Sequence, residues 1–270
     1  MSLILCRKEP VTRPYWIEPL GIHIYSSQEL CYVIYNHALL VMDDFINEGL
    51  ITFIREQLDM PFLAAKLEKW QAAGESSDDM LLIILQECFY YQTTEINKFR
   101  SQLLLYRKMH PAQLKKERAD CLFGLCQYGR AISIYEKILQ MPKDGTVDEL
   151  FLGKVWNNLG SSYARMFQLN QAWKALEIAY SYTKDQSVLK RLYHLTKLDQ
   201  DLVLVERYQT LITPELQEKW DKELEEAALR AKGSRRLEEL EHLFEKDPIK
   251  RTEGARKLVY QWRQEYRSML

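Results

Sequence analysis

Apolar residues recur at intervals of three and four throughout residues 26 to 110, which is the spacing of one helix face. Ser26 and Glu29 have the spacing of a capping box and stand just before such a run. Proline, serine, threonine or acidic residues precede the later runs, as is typical of helix starts. The pattern predicts five helices with short connections, beginning near Ser26, Asp43, Pro61, Ser77 and Thr93 or Thr94.

Two pairs of neighbouring carboxylates, Asp43-Asp44 and Asp78-Asp79, have the residue types needed for acid and base catalysis. Both pairs stand at predicted helix starts, where carboxylates cap backbone N–H groups and favour the helix dipole. Capping explains both pairs, so neither becomes a catalytic candidate. The run from Met80 to Leu85 is apolar on all sides, which predicts a central helix.

Residues 1 to 25 do not share the helical pattern. Three prolines oppose a helix there, whereas Tyr15 to Ile17 and Ile22 to Tyr25 are rich in β-favouring residues. The residues from Glu18 to Gly21 have proline early and glycine late, as β-turns do. The segment therefore predicts a short β-hairpin, which should lie on helices because two isolated strands are only marginally stable.

A further pattern of large and small residues begins at Trp156. Small residues at two of its positions would let two antiparallel helices approach closely, and large residues would fill the surrounding space. The matched positions are Trp156, Leu159, Gly160, Tyr163, Ala172, Leu176 and Ala179. These spacings resemble the tetratricopeptide repeat (TPR), a helical hairpin of about 34 residues. The resemblance implies an all-α chain in which antiparallel helical hairpins form a short TPR-like solenoid, here joined by the small N-terminal β-hairpin.

Two positions depart from the repeat. Phe167 stands where the family usually turns on glycine, and Lys184 stands where proline usually ends the second helix. The turn is therefore expected to use Asn170 or a slightly different geometry.

An additional copy lies upstream, because Ala131 precedes Ala172 by 41 residues in a similar setting. Tyr128 to Leu139 resembles the second helix of the repeat. Residues 112 to 126 would form the first helix, with Ala119 at the small position.

A third unit is expected at residues 187 to 198 and 202 to 212, since stacked repeats need neighbours to cover their apolar faces. His194 occupies its small position, so we interpret it as a degenerate or capping unit. The predicted division of the chain is an extended segment or β-hairpin (1–25), an N-terminal helical region (26–110), TPR-like repeats (111–212) and C-terminal helices (213–270).

The last predicted helix carries an apolar and aromatic stripe formed by Leu258, Val259, Trp262 and Tyr266. Such a stripe is expected to dock on the domain of its own chain. Residues 250 to 267 also hold six basic and two acidic side chains, which we interpret as a solvated helix face.

The resemblance further implies a concave surface lined by the first helices of successive hairpins. The outward positions of the strongest repeat are candidates for peptide binding: Lys154, Asn157, Asn158, Ser161 and Arg165. Asparagine and arginine there could hydrogen-bond a peptide backbone or a carboxylate. Equally, Asn158 could be a common residue of the repeat and the others merely solvated.

Composition agrees with a protein built of long helices. The 270 residues are 47% apolar and include only 10 Gly and 8 Pro, fewer breakers than many short strands would need. The net charge is −1, and without a basic excess no nucleic-acid partner is expected.

The five cysteines show no CxxC spacing, which indicates reduced thiols in a cytoplasmic protein and no zinc site. The apolar run within Met1 to Arg7 is too short for a signal peptide, and no stretch approaches the ~20 residues of a membrane span.

No phosphate-binding loop, nucleophile elbow or metalloprotease motif is present, and the five histidines share no spacing. We therefore expect no enzyme, no catalytic residue, no cofactor and no metal site. The first hypothesis is a non-catalytic scaffold or adaptor that binds a protein or peptide. The alternative is a peptide-responsive regulator whose helical N-terminal region acts as the output. The pattern leaves the partner and the oligomeric state open.

Overall fold

The computed structural model describes residues 10–245 and 247–270, and it is an all-α structure with one small β-hairpin. The interpretation of Met1 to Arg7 lies outside the described residues. Consecutive helices pack against each other through most of the chain. The helices are α1 Ser27–Asn36, α2 Ala38–Val41, α3 Glu48–Glu56, α4 Pro61–Ala73, α5 Ser77–Glu87, α6 Thr93–Lys108, α7 Pro111–Gly124, α8 Tyr128–Leu139, α9 Glu149–Arg165, α10 Leu169–Thr183, α11 Gln186–Leu198, α12 Glu206–Gln209, α13 Pro214–Lys232, α14 Arg235–Phe244 and α15 Pro248–Met269.

The predicted β-hairpin is confirmed. Strands β1 (Tyr15–Ile17) and β2 (Ile22–Ile24) pair antiparallel, with Ile17 opposite Ile22. Gly21 has a φ of 66° in the connecting turn, a conformation that glycine adopts without steric cost. Ile17 and Ile24 are buried in the core formed by the helices that follow, so the two strands are stabilised as the sequence predicts.

The helices group into two compact units, Met1–Arg118 and Ala119–Leu270, and the division falls within α7. The division into four segments proposed from the sequence stays a prediction. In unit 1, α5 is central as expected, because every residue from Met80 to Leu85 is buried.

The second of the helices predicted from the sequence begins later than expected. The helix α3 starts after Asn47, whose Oδ1 accepts a hydrogen bond from the backbone N–H of Leu50 at 3.0 Å. Asp43 and Asp44 therefore do not cap it, and their assignment to a helix start was wrong. Capping explains only one residue of the second pair. Asp79 exchanges hydrogen bonds with Ser76 at the start of α5, whereas Asp78 accepts a hydrogen bond from Arg107.

Asp43 instead belongs to an ion-pair network in unit 1. Its carboxylate accepts hydrogen bonds from Arg107 at 2.9 Å and from Arg118 at 2.5 Å. Arg107 also holds both oxygens of Asp78, at 2.9 and 2.7 Å, and donates to the Met42 carbonyl at 2.7 Å. Burial works against ionisation of Asp43, but the two arginines outweigh it and lower its pKa. The network therefore fastens the segment before α3 to α5 and to α6.

Unit 2 contains two hairpins with the same turn. In the turn between α7 and α8, the backbone N–H groups of Cys126 and Gln127 donate to the carbonyls of Phe123 and Leu122, at 3.0 and 2.9 Å. The turn between α9 and α10 has the same two bonds, at the same lengths, 41 residues further on. The two turns thus share the 41-residue offset of Ala131 and Ala172, and the same pair of bonds also ends α4 at Gly74 and Glu75, as is common at helix ends.

Cys126 lies in the first turn and Phe167 in the second, and both have a left-handed backbone conformation, with φ values of 61° and 59°. Of the two alternatives expected for the second turn, the one that uses Asn170 was wrong, because Asn170 lies inside α10. Phe167 occupies the left-handed conformation itself, at the position where the repeat usually has glycine.

Replacing Phe167 by glycine is expected to stabilise unit 2 by about 1 kcal/mol, because the left-handed conformation costs other residues about 1–2 kcal/mol. The ring is 71% exposed and so contributes little buried area, while the added freedom of glycine in the unfolded chain offsets part of the gain. Urea unfolding followed by circular dichroism measures the change. Asn170→Gly, two residues into α10, should give no gain, and a loss of stability in Phe167→Gly would contradict the assignment.

The small residues lie where the hairpin resemblance places them. A Cβ atom on Gly160 would lie 2.7 Å from Cγ of Leu176 and 3.2 Å from the carbonyl oxygen of Ala172. Gly153, seven residues earlier on α9, is equally confined, since its Cβ would lie 2.6 Å from the side chain of Thr183. Two glycines on one face of α9 therefore allow α10 to pack closely along its length.

The third pair differs from the expectation. Residues 202 to 205 are not helical and α12 covers only Glu206–Gln209, so a second helix over 202 to 212 was wrong. After α11 it is α13 that packs against α11, which also contacts α10 before it. The Tyr193 hydroxyl donates to Asp221 at 2.7 Å, and Trp220 is buried in the same core. The connection before α13 also contributes Leu204 and Tyr208 to this core, whereas Val203 and Leu211 in it are exposed.

The aromatic stripe of α15 is more exposed than expected. Val259, Trp262 and Tyr266 are each more than two-fifths exposed, and no residue of α15 is buried. The stripe is therefore only partly docked on its own domain. The helix packs against α14, where a Cβ on Gly254 would overlap the Leu243 side chain, and its C-terminal end meets α8, where a Cβ on Gly129 would lie 2.6 Å from the Leu270 carbonyl oxygen.

Candidate functional site

A cavity of about 660 Å³ opens beside α9 in unit 2, and we call it the α9 cavity. Its walls come mainly from three helices, α7, α9 and α11, which alternate along the chain with α8 and α10. The lining residues are Asp120, Phe123, Tyr135, Asn158, Ser161, Ala164, Arg165, Leu176, Arg191, His194, Leu195 and Leu198. The volume is within the range of small-ligand and peptide-anchor pockets.

Hydrogen bonds connect the polar residues at the α7 side of the cavity. The buried Tyr135 donates its hydroxyl to Oδ1 of Asp120 at 2.5 Å, and Asn158 donates Nδ2 to the same oxygen at 2.9 Å. Asn157 in turn donates to Oδ1 of Asn158 at 3.2 Å. These bonds fix the orientation of Asn158, whose side chain bridges α9 and α7.

Arg191 connects α11 to α9 on the other side. Its Nη1 donates to Oδ1 of Asn157 at 2.6 Å and to Oγ of Ser161 at 3.0 Å. A guanidinium has five N–H donors, so a single Nη1 group making two bonds leaves donors for a ligand. Arg191 is thus held in place by neutral side chains, which leave its charge uncompensated at these contacts.

The charge at the cavity is basic on balance. Arg165 and Arg191 are exposed at its walls, against the single carboxylate of Asp120. Burial lowers the pKa of His194, although the hydrogen bond with the Trp220 carbonyl at 3.3 Å acts in the opposite direction. A neutral His194 ring at neutral pH leaves the two arginines as the cavity's cations.

The five candidates from the sequence have different positions. Asn158, Ser161 and Arg165 line the α9 cavity. Asn157 does not line it but accepts the bond from Arg191, which does. Lys154 is exposed on α9 and lies outside the cavity wall. The structure thus brings four of the five together with Arg191, and their role in binding stays a prediction.

Several cavity residues were not among the candidates, although the repeat spacing could have indicated them. Arg191 and Leu195 lie one unit of about 34 residues beyond Asn157 and Ser161. Asp120 lies 41 residues before Ser161, the offset of the two hairpins. The candidate positions were derived from one repeat only, so its neighbours' contributions were missed.

Comparisons of the chain with protein-family models, with curated proteins and with solved structures find no match. Within the described residues, no helix combines the length and apolar character that crossing a membrane requires. In the same part of the chain, no three His, Cys, Asp or Glu side chains group as metal ligands would.

Proposed function

We propose that this chain is a non-catalytic scaffold that binds a protein or peptide through a TPR-like concave surface. The observation that carries the proposal is the α9 cavity, whose walls are the first helices of three successive helix pairs. This is the arrangement that the sequence resemblance implies for a repeat groove. The proposal includes the TPR-like nature of the hairpins, which rests on the spacing from Trp156 to Ala179.

The repeated turn supports this interpretation of the hairpins. Two turns with the same backbone bonds lie 41 residues apart, which is also the separation of Ala131 and Ala172 in the sequence pattern. The close approach at Gly160 supports it as well, since the repeat has small residues at that contact. The third pair, α11 with α13, covers the apolar face that two hairpins alone would leave exposed.

The chemistry of the α9 cavity favours a segment with acceptor groups. Arg165 and Arg191 would bind carboxylates by charge-assisted hydrogen bonds, which are about twice as strong as neutral ones. Asn158 is already oriented by Asp120, so less side-chain entropy is lost when it bonds a peptide backbone. Phe123, Leu195 and Leu198 offer apolar contacts beside these polar groups.

Reversal of the two cavity arginines tests the proposal. In Arg165→Glu/Arg191→Glu, we expect binding of acidic peptides to fall by about tenfold or more, because attraction becomes repulsion across the cavity. A peptide array containing acidic, neutral and basic members identifies ligands for the wild-type chain. Fluorescence anisotropy of the retained peptides then gives the dissociation constants of the variants.

Lys137→Glu/Lys174→Glu is the matched control. It makes the same change in net charge on exposed residues of α8 and α10, outside the cavity wall. Equal losses in both double variants would mean that only the overall charge matters. The absence of any peptide ligand, or turnover of a small molecule by the purified chain, would defeat the proposal.

A further inference from the structure

The hairpin of α14 and α15 leaves a groove of about 720 Å³ between its helices, which we call the α15 groove. Its lining residues are Leu240, Leu243, Phe244, Arg251, Thr252, Ala255, Arg256, Leu258, Val259, Tyr260, Trp262 and Arg263. None of them lines the α9 cavity. The α15 groove is therefore a separate surface, which the proposed function does not use.

The apolar wall of this groove is open to solvent. Leu243 is buried at the contact with Gly254, whereas Phe244 is 62% exposed and Trp262 is 46% exposed. Large aromatic side chains that are half covered on a concave surface are typical anchors of protein interfaces. Folding of this chain leaves the apolar area of these side chains in contact with water. A partner that covers them removes this area from water, which favours binding.

The charged residues of the α15 groove all have the same sign. Arg251, Arg256 and Arg263 contribute to its wall, and no acidic residue is among the lining. Within the described residues, Arg256 and Arg263 form no ion pair, whereas the nearby Glu265 is held by Arg236 of α14 at 3.0 Å. Two exposed guanidinium groups without an ion-pair partner among the described residues, beside an apolar wall, favour a ligand that carries negative charge next to apolar groups.

We propose that the α15 groove binds an amphipathic helix of a partner protein, with acidic residues beside its apolar face. A groove between two helices accepts such a helix through anchors at positions i, i+3, i+4 and i+7. The apolar anchors contact Phe244, Val259 and Trp262. Acidic side chains one turn away pair with Arg256 and Arg263, and this complementarity sets the orientation and the choice of partner.

The same residues suit an anionic membrane surface less well. The exposed face of α14 carries Glu238, Glu239 and Glu241, which would be brought towards the acidic lipid headgroups. A membrane-binding hairpin also needs an apolar face that projects outward, whereas here the apolar side chains line a concave wall. A protein helix satisfies both the shape and the charge.

A set of labelled model peptides tests the proposal with the full-length chain. Each peptide has about five helical turns, leucine at the four anchor positions and glutamate on the flanks, with the leucine spacing varied across the set. Matched peptides carry lysine in place of every glutamate. We expect at least one acidic peptide to bind about tenfold more tightly than its lysine counterpart in fluorescence anisotropy.

Two double variants locate the binding. Arg256→Glu/Arg263→Glu should weaken the best acidic peptide by about tenfold, whereas Lys257→Glu/Arg267→Glu should change it by less than about threefold. Both reverse two exposed charges of α15, but only the first pair lines the groove. Circular dichroism melting checks that all variants fold alike.

Each alternative occupant has its own result, which would overturn the proposal. The first is sedimentation with phosphatidylserine vesicles that depends on Trp262 and is stronger than binding to any of the peptides. Another is self-association of the wild-type chain that Trp262→Ala abolishes. Failure of the whole acidic set to bind, or equal losses in the two double variants, would overturn it as well.

Discussion

Gly160→Leu should destabilise unit 2 by about 3 kcal/mol or more, since a larger side chain at this contact overpacks the helix pair. A Cβ alone would stand 2.7 and 3.0 Å from two carbon atoms of Leu176 and 3.2 Å from the backbone of α10. The Leu176 side chain is 1% exposed, and the Ala172 carbonyl belongs to the backbone of α10, which a side-chain rotation cannot move. The α9 and α10 helices would have to separate, and urea unfolding followed by circular dichroism measures the loss.

Gly124→Leu is the matched control for this prediction. It makes the same substitution in a helical glycine of α7, where a Cβ would meet no atom within 4 Å. We expect this variant to keep or slightly increase the stability, because glycine is the weaker helix former by about 1 kcal/mol. Wild-type stability in Gly160→Leu would show that α9 and α10 are not in close contact.

A double-mutant cycle separates steric contact from other effects. Gly160→Ala places a Cβ against Leu176, and Leu176→Ala removes the two atoms that it would meet. We expect Gly160→Ala to cost less in the Leu176→Ala background than in the wild-type chain, with a coupling of about 1 kcal/mol. Additive effects would contradict the geometry.

Arg107→Met should destabilise unit 1 by about 2 kcal/mol, because hydrogen bonds to charged groups contribute about 1.5–3 kcal/mol. The variant loses the bonds to Asp78, Asp43 and the Met42 carbonyl together. The Arg107 side chain is 40% exposed and Asp78 is 19% exposed, so solvent screening keeps the loss in the lower half of that range. Chemical denaturation of the variant gives the change in the free energy of unfolding.

Arg55→Met provides the comparison within the same unit. Within the described part of the chain, Arg55 forms its ion pair with Glu68 alone, and both side chains are more than a third exposed, so we expect a loss of less than about 1 kcal/mol. Equal effects of Arg55→Met and Arg107→Met would mean that the network is no stronger than a surface ion pair.

The effect of Arg107→Met should also depend on pH. The pKa of Asp43 is lowered in the folded chain, so its pairing stabilises the fold above the ordinary aspartate pKa of about 4. This stability is lost as the pH falls through the lowered pKa. The difference between wild type and Arg107→Met should therefore shrink as the pH falls below about 4. A difference that grows under acid would contradict the ion pairing of Asp43.

Much of the fold could be predicted from residues close together in the chain. The alternating strands around Gly21, the all-apolar run at Met80 to Leu85 and the proline at Pro214 each act over a few residues. The Gly160 contact could be predicted as well, since the repeat pattern encodes a long-range contact in local spacing. These features are where sequence and structure agree.

The predictions that were wrong concern contacts between residues far apart in the chain. Asp43 has the residue type of a helix cap, but its partners are Arg107 and Arg118, which lie 64 and 75 residues away. Likewise, Leu202, Val205 and Tyr208 have helical spacing, yet residues 202 to 205 are not helical. Leu202 and Leu204 instead pack in a core that includes Trp220 of α13. The local pattern of apolar and polar residues does not show which distant side chain pairs with a charged group or covers an apolar face.

The candidate site was predictable on one helix only. Asn158, Ser161 and Arg165 could be placed because the repeat pattern on α9 is strong, whereas α11 has few signature residues and its Arg191 went unnoticed. The exposed wall of the α15 groove was not predictable at all. A stripe such as Val259 and Trp262 has the same spacing whether it is buried or open, and only the packing partner decides which.

By itself the sequence determined that this chain is helical, where most helices begin and end, and that two neighbouring helices meet at Gly160. Those properties follow from backbone sterics and from side-chain spacing, which act locally. Only the tertiary structure decided that Arg191 meets Asn157 across two helices, that Asp43 is an ion-pair acceptor and that Trp262 stays exposed. Each of these three features depends on residues far apart in the chain, and the packing of whole helices decides whether they come into contact.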